Sequence, residues 1–396
     1  MAGRRRVPGS SVVALCLLLV SLVACGGRTA ADPVRAEVQR VLDRRAAAVL
    51  AHDRAAWART GAGTALGNLS AVPLAAWSYR VTGAHRTGDT VTADVDLGYR
   101  IAGYDRGAVT TARTVRLSRE EDGRWSVDSD RPAKRSGQQP WDQGPVQVVR
   151  GAHSLVLGVG QSTGALRGYA DLADRAVPAV SDAWDGDWAR RIVVLVPRSL
   201  EGMAGLLGSP ASSYRGIAAV TTGETGGREL APADRIIVNP DAYGLLGGLG
   251  RQVVLTHETT HVATRAHTTA ATPLWLSEGY ADWVGYRADE REPARAASEL
   301  ARAVSEGRVP DGLPTDEDFG FTGEADELAR AYEGGWLACR MIADRWGEDR
   351  LDAFYRAVGA HDGRAGAVED ALRDVLGTTR DAFTARWREY LREQLG

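Results

Sequence analysis

The spacing of apolar residues changes along this chain of 396 residues, and the changes divide it into segments of different secondary structure. From residue 32 to about residue 59 the apolar residues recur at helical spacing, which predicts one long amphipathic helix. Between Trp77 and Val127 they alternate with polar residues, and turns such as those at Gly88 and Gly123 separate the runs. Because alternation interrupted by turns is typical of half-buried strands, we expect an antiparallel meander after the helix.

A segment without periodicity precedes the second half of the chain. Residues 131–145 are rich in proline, glycine, glutamine and charge, and we place a linker there. Short apolar runs at 146–149, 154–157 and 192–196 predict buried strands, and from Leu245 onward the pattern is helical almost throughout. The predicted fold class is therefore α+β, with a small mixed sheet and a helical C-terminal half after the linker.

The pattern of a long helix followed by a meander resembles the cone-shaped nuclear-transport-factor-like (SnoaL-like) domains, and the resemblance covers residues 32–130. It implies an N-terminal cone built from a helix and an antiparallel sheet. Cones of this kind can hold ligands, but the segment shows no ordered set of polar residues. We therefore expect a packing or adaptor domain, followed by a second domain over residues 146–396.

The first 25 residues have the pattern of an export signal. Arginines at positions 4–6 precede an apolar stretch over 12–23, and the sequence Leu-Val-Ala-Cys ends at Cys25. A stretch of this length suits a signal peptide, and its ending resembles a bacterial lipobox. We expect residues 1–24 to be a lipoprotein signal peptide, with Cys25 lipidated and 25–31 a tether, on the extracytoplasmic face of the cell membrane. The alternative is an ordinary signal peptide that happens to end at a cysteine.

Charge and cysteine usage disfavour two other classes of protein. The formal net charge is −3, and loss of the leader arginines takes it to about −6, which disfavours binding of nucleic acid through a broad basic surface. Two of the three cysteines lie within the first 25 residues, so the chain cannot build a disulfide framework.

One short motif carries metal-binding chemistry. A helix predicted over 252–265 contains the pattern HExxH, with His257, Glu258 and His261. A spacing of four residues puts both imidazoles on one face of the helix, where they can bind a single zinc ion. The glutamate projects beside that face and can take a proton from metal-bound water. The alternative is a solvated helix face with two incidental histidines, so a third ligand decides between the two interpretations.

Two residues compete for the position of third ligand, and His267 is the first. It lies six residues after His261, which is the spacing found in metzincins. Those enzymes turn sharply out of the helix at a glycine, whereas the β-branched Thr264 stands at that position here. The methionine turn of metzincins is also missing, because the only downstream methionine, Met341, lies in a predicted helix. We therefore expect His267 at the helix end or rim and not at the metal.

The second candidate is Glu278, in a segment where Pro273 can begin a new helix. On that helix Glu278 and Asp282 would lie one turn apart. The pairing of HExxH with the pattern W-L-x-E-G-x-A closely resembles the gluzincin metallopeptidases, above all the bacterial peptidase MA-like domains, over residues 146–396. The alternative for Glu278 is a surface carboxylate near a helix start.

The gluzincin resemblance implies a role for each of these residues. One zinc ion per chain is expected, bound by His257, His261 and Glu278, while Glu258 is the general base for the attacking water. Asp282 matches the acid that orients the first histidine in this class.

Two further features of the site are implied by related enzymes. In aminopeptidase-like gluzincins a tyrosine hydroxyl stabilises the oxyanion, and Tyr332 is the candidate for that role. The alternative for it is a core tyrosine bonded to the backbone. In related folds an edge strand pairs with the extended substrate, and residues 218–222 are a candidate, although the sequence does not show which strand is the edge. The chain shows no exopeptidase amine-binding motif of the G-x-M-E-N type, which favours an endopeptidase.

The expected function is hydrolysis of peptide bonds in protein or peptide substrates outside the cytoplasmic membrane by a zinc metallopeptidase. A non-catalytic lipoprotein that binds partners through a peptidase-like fold is the alternative from another class. Hydrolysis of cell-wall peptides, which uses the same chemistry, is a third interpretation. No nucleic-acid partner is expected, and the sequence does not predict the oligomeric state.

Overall fold

The computed structural model describes residues 33–61, 66–222, 233–320 and 325–396. The predicted signal peptide, the tether and Cys25 lie outside these ranges, so the expectations about them stay predictions. Within the described ranges, no helix is both long enough and apolar enough to span a membrane.

The N-terminal part folds as helices packed on an antiparallel sheet. Its elements are α1 (Pro33–Leu50), α2 (Arg54–Ala58), α3 (Leu66–Leu69), β1 (Leu74–Thr87), β2 (Thr90–Ile101), β3 (Val109–Arg119) and β4 (Trp125–Pro132). The four strands follow chain order in the sheet, and each is antiparallel to its neighbour. The meander expected from the alternating pattern is therefore confirmed.

The single helix expected up to about residue 59 is wrong. The first helix ends at Leu50, and His52 adopts a left-handed backbone conformation with φ of 51°. Asp53 then caps the second helix, because its side chain accepts a hydrogen bond from the Ala56 amide at 2.9 Å. Aspartate is among the preferred N-cap residues, and a left-handed residue before it ends the first helix.

The segment expected to be a linker carries a buried tryptophan. Within residues 131–145, α4 (Pro140–Gln143) places Trp141 against Trp77 and Tyr99 of the first sheet. The ring centroids of the three aromatic residues lie 5.0–6.4 Å apart. Since this packing buries large apolar surfaces, it anchors the segment to the N-terminal core.

A second, mixed sheet forms the centre of the molecule. Its strands are β5 (Val146–Arg150), β6 (Ser154–Val159), β7 (Ile192–Val196), β8 (Ala219–Thr222) and β9 (Arg235–Val238), in the order β5-β6-β7-β9-β8. β6, β7 and β9 run parallel, whereas β5 and β8 are antiparallel edge strands. All of β7 is buried, because one face of the sheet packs on the N-terminal part and the other on helices.

Helices make up the rest of the chain. They are α5 (Thr163–Ala183), α6 (Leu200–Leu207), α7 (Pro240–Leu245), α8 (Gly248–Thr264), α9 (Leu274–Tyr286), α10 (Pro293–Ala296), α11 (Ser298–Ser305), α12 (Ala325–Trp346), α13 (Glu348–Ala360), α14 (Ala367–Leu376) and α15 (Arg380–Leu395). α8 packs against β8, α5 and α9, and α9 packs against α12. The predicted α+β class with a mixed sheet and a helical C-terminal half is confirmed at this level of detail.

The helices α9 and α12 cross with their backbones in close contact. A Cβ atom added to Gly279 would lie 2.2 Å from the Gly335 carbonyl oxygen. One added to Gly335 would lie 2.7 Å from the carbonyl oxygen of Trp275. Only glycine permits this approach of two backbones. The crossing brings α12 next to α9, the helix that also packs against α8.

Candidate metal centre

Three side chains from α8 and α9 converge on one point. The Nε2 atoms of His257 and His261 lie 3.0 Å apart on one face of α8. The Oε2 atom of Glu278, from α9, lies 3.2 Å from the first of these nitrogens and 3.3 Å from the second. Among the described residues, these three form a group that could hold a metal ion.

The spacing of the three ligand atoms suits zinc. Tetrahedral zinc with bonds of about 2.0–2.1 Å requires its ligands to be roughly 3.3–3.4 Å apart. The three observed separations of 3.0–3.3 Å come within a few tenths of an ångström of that value. Two imidazoles and one carboxylate are also a donor set used by catalytic zinc, with the fourth position left for water or substrate.

The helix that carries the histidines is polar in sequence yet closely packed. The hydroxyls of Thr259, Thr260 and Thr264 donate hydrogen bonds to carbonyl oxygens four residues earlier, at 2.6, 2.8 and 2.9 Å. Each buried hydroxyl is therefore satisfied within its own helix. This arrangement lets a threonine-rich helix be buried on one side, while His257 and His261 on the same helix are only partly buried.

Asp282 fixes the ring of the first histidine. Its Oδ1 atom lies 2.7 Å from Nδ1 of His257, one helical turn beyond Glu278 on α9. A proton held on Nδ1 by a carboxylate leaves the Nε2 lone pair free to bind a metal. This is the position that the resemblance assigned to Asp282.

The electrostatics of the group favour a positive charge between its members. Burial opposes protonation of His257, but Asp282 and Glu278 outweigh it and raise the pKa of this histidine well above its usual value. Burial also opposes the charged form of Glu278 and by itself would raise its pKa, but His261 and His257 lower that pKa well below the usual range. The same field that retains a proton here would stabilise a bound cation.

Glu258 and Tyr332 border the same cavity as His257. The carboxylate of Glu258 is buried, with 6% of the residue exposed, and it accepts a hydrogen bond from the Thr221 hydroxyl at 2.6 Å. Tyr332 projects from α12, and its ring centroid lies 6.5 Å from that of His257. Within the described part of the chain, no hydrogen bond engages its hydroxyl. Burial, followed by the charge of Glu278, raises the pKa of Tyr332 well above its usual value, so the hydroxyl stays a proton donor.

The cavity is a cleft of about 630 Å³. One of its walls is formed by β8 and the segment before that strand, and the opposite wall is formed by α12. Its walls combine apolar side chains with a few polar groups: Ile217, Ala218, Val253, Val254, Leu328, Trp336, Arg215 and Glu333. β8 is an edge strand of the second sheet, so the strand expected over 218–222 stands beside the candidate metal site.

His267 lies away from the three converging ligands. It sits in a short 3-10 helix that follows α8, and its ring packs edge-on against Trp184 with centroids 5.4 Å apart. Burial lowers the pKa of His267, and Arg356 lowers it further. Its position at the helix end agrees with the expectation that it is not a metal ligand.

Two polar residues, one lining the cleft and one bonded to a residue that lines it, were not found by sequence reasoning. Thr221 was expected only as part of an edge strand, and its hydrogen bond to Glu258 arises from the packing of β8 on α8. Glu333 accepts hydrogen bonds from the amides of Glu299 and Leu300, and burial raises its pKa to about 7. Both contacts join residues distant in sequence, and no local pattern signals them.

Comparison with known proteins gives similarity to solved structures only. No protein-family model matches the sequence, and no curated protein matches it. The yeast LTA4 hydrolase structure aligns at 12% identity over 81% of this chain and 60% of its own, with a TM-score of 0.38. A two-domain M1 zinc metallopeptidase variant bound to L-arginine aligns at 14% identity over 70% and 58%, with a TM-score of 0.36. The M1 zinc metallopeptidase from Deinococcus radiodurans aligns at 15% identity over 81% and 60%, with a TM-score of 0.35. The chain thus spans about three fifths of the length of these structures.

Proposed function

We propose that this protein is a zinc-dependent peptidase whose active site is the cleft between β8 and α12. The observation that carries the proposal is the convergence of His257, His261 and Glu278 at the ligand spacing of tetrahedral zinc. A buried carboxylate, that of Glu258, and a phenol hydroxyl, that of Tyr332, border the same cavity. A metal site with a base and a hydrogen-bond donor beside it is what peptide hydrolysis requires.

In this proposal each residue has a separate task in the reaction. Zinc, when bound, would polarise the scissile carbonyl and make water a better nucleophile. Glu258 accepts the proton of the attacking water and passes it to the leaving nitrogen. The Tyr332 hydroxyl donates a hydrogen bond to the carbonyl oxygen as negative charge develops there. Asp282 holds the proton on Nδ1 of His257, so Nε2 stays available as a ligand.

We further propose that the substrate is a protein or peptide bound in an extended conformation. The outer edge of β8 offers backbone groups with which an added strand can pair, next to Glu258. Cleavage within the chain is favoured over removal of the N-terminal residue, because the sequence shows no amine-binding motif of the G-x-M-E-N type.

The experiment that tests the activity compares the wild type with Glu258→Gln. The purified, zinc-loaded protein should cleave an internally quenched peptide and unfolded casein, and the variant should keep its zinc but lose at least about 100-fold in kcat. Glu389→Gln on α15 changes an exposed carboxylate in the same way and should cleave like the wild type. Activity of Glu258→Gln equal to that of the wild type would refute the assigned base. Preference for aminoacyl nitroanilides over the quenched peptide would refute the endopeptidase assignment.

We propose that the protein acts outside the cytoplasmic membrane, attached by lipid at Cys25. The support is the leader pattern of the sequence. In bacterial cells fed an alkyne-labelled palmitate, the wild type should incorporate label and Cys25→Ser should not. An unlabelled wild type found in the culture medium would contradict lipid anchoring and leave export intact.

A further inference from the structure

We propose that Thr221 is a positioning residue for Glu258, whose hydroxyl sets the orientation of the carboxylate in the cleft. The inference rests on the proposed function, since it gives Thr221 a part in the same reaction. Thr221 lies on β8, whereas Glu258 lies on α8, so the contact joins two elements that border the cleft.

The geometry singles out one oxygen of the carboxylate. The Thr221 Oγ1 atom lies 2.6 Å from Oε2 of Glu258 and 3.0 Å from the main-chain oxygen of the same residue. Both partners are acceptors, and a hydroxyl has one proton to donate. A separation of 2.6 Å is within the range of charge-assisted bonds from a hydroxyl to a carboxylate, so the carboxylate is the main acceptor.

This bond leaves the other carboxylate oxygen for chemistry. Among the described residues, none donates a hydrogen bond to Oε1 of Glu258. With Oε2 held by Thr221, Oε1 is the atom available to a water or a substrate nitrogen. A general base that keeps one orientation avoids the loss of rate that disorder of the reacting group causes.

The support behind Thr221 is rigid. Its β-branched side chain has few rotamers, and its backbone pairs with Ile236 of β9 in the antiparallel ladder. Ala219, two residues earlier, belongs to the core on the helical face of the sheet, and alternation along a strand puts Thr221 on that same face. The strand proposed to pair with the substrate therefore also orients the base.

A purely structural tie between β8 and α8 is the competing explanation, because the hydroxyl also reaches the main-chain oxygen of Glu258. A structural tie would affect folding and the placement of the strand. A positioning role would affect kcat and the order of one side chain. The two explanations therefore predict different measurements.

The test uses three variants of the full chain loaded with zinc. Thr221→Val removes the hydroxyl at nearly constant shape, and Thr221→Ser keeps it. Thr110→Val is the matched control, since Thr110 is an exposed residue of β3 in the first sheet, away from the cleft. Zinc content, unfolding midpoint, kcat and KM for a quenched peptide, and the crystallographic order of Glu258 are measured for each.

We expect Thr221→Val to lose about 10- to 100-fold in kcat, with zinc content and KM close to those of the wild type. Thr221→Ser should recover most of the loss, and Thr110→Val should behave as the wild type. Crystals should show the Glu258 carboxylate in one orientation in the wild type and in several in Thr221→Val. An unchanged kcat in Thr221→Val, or a loss that appears only in KM and stability, would overturn the inference. If the wild type cleaves no peptide, the proposed function fails, and the order of Glu258 in the two crystal structures still decides the role of Thr221.

Discussion

At the scale of single residues, two partly buried carboxylates in this protein differ in what compensates their charge. Glu278 lies between two imidazoles, which keep it ionised. Asp352 on α13 accepts a hydrogen bond of 2.5 Å from the Tyr280 hydroxyl, but its burial is not fully offset, and its pKa rises to about 6. A carboxylate of the second kind costs stability when it is charged.

This difference predicts a pH-dependent effect of Asp352→Asn. The folded-state pKa of Asp352, about 6, exceeds its ordinary value of 3.8, so the folded protein binds this proton more tightly than the unfolded chain. The stability contributed by the proton is complete below about pH 4 and is lost as the pH rises through about 6. Since asparagine has no charge to bury, the variant should exceed the wild type by about 1–3 kcal/mol in free energy of unfolding near pH 8, and match it near pH 4. Urea unfolding at both pH values measures this, with the exposed Asp362→Asn as control. A variant that is less stable than the wild type near pH 8 would contradict the assignment.

Sequence reasoning reached the residues whose geometry is local. His257 and His261 lie one turn apart on a helix, so their spacing of four predicts their proximity. Glu278 and Asp282 follow from the same spacing and from the family pattern, and the structure brings all four together. The contact of Thr221 with Glu258 depends on how a strand packs on a helix, and no period in the sequence reports that.

At the scale of elements, the crossing of α9 and α12 places Tyr332 near the candidate metal site. Gly279 and Gly335 allow the two backbones to touch, and neither has the positive φ that would itself require glycine. Glycine is a poor helix former, so its presence in both helices reflects close packing and not local preference. Helix propensity alone would predict these glycines at helix ends, whereas both lie inside helices.

Gly335→Ala should therefore destabilise the protein although alanine is the better helix former. The new methyl would lie 2.7 Å from the Trp275 carbonyl oxygen, and overpacking of this kind costs about 1–3 kcal/mol. Gly168→Ala on α5 is the matched control, because no atom outside its own helix lies within 4 Å of the added methyl. That control should gain about 0.5–1 kcal/mol. Denaturant unfolding of both variants gives the comparison, and a stabilised Gly335→Ala would show that the helices are not in contact.

The length of the first helix was predicted wrongly because the helical spacing of apolar residues continues past the point where the helix ends. Helical spacing extends past Leu50 to Trp57, and the prediction of one helix followed it. The cap at Asp53 and the left-handed His52 interrupt the backbone without disturbing that spacing. Capping is a local signal that competes with periodicity, and here it prevails.

At the scale of the whole molecule, the N-terminal part is attached to the second sheet by a buried ion pair. Arg235 of β9 donates to both carboxylate oxygens of Asp105 at 2.7 and 2.8 Å, and the Asp105 side chain is fully buried. Apolar residues of β6 and β7 complete the contact. The strand that carries Arg235 is the neighbour of β8, so the N-terminal part supports the sheet that borders the cleft.

Removal of one partner of this pair should be costly. Asp105→Ala leaves the guanidinium of Arg235 buried without its counter-charge, which typically costs about 3–5 kcal/mol. The double variant Asp105→Ala with Arg235→Met removes both charges and should be more stable than the single variant. The free energies of unfolding of the two variants decide the matter, and a double variant no more stable than Asp105→Ala would contradict the pairing.

The proposed function depends on His257, His261 and Glu278 forming one zinc site. Its most direct test is the zinc content of the purified chain from residue 26 to 396, measured by atomic emission after dialysis, next to that of Glu278→Ala. We expect one zinc per chain in the wild type, and we expect its loss in a variant that keeps the wild-type circular dichroism spectrum. A wild type without zinc after exposure to the metal, or a variant that retains the full amount, would contradict it.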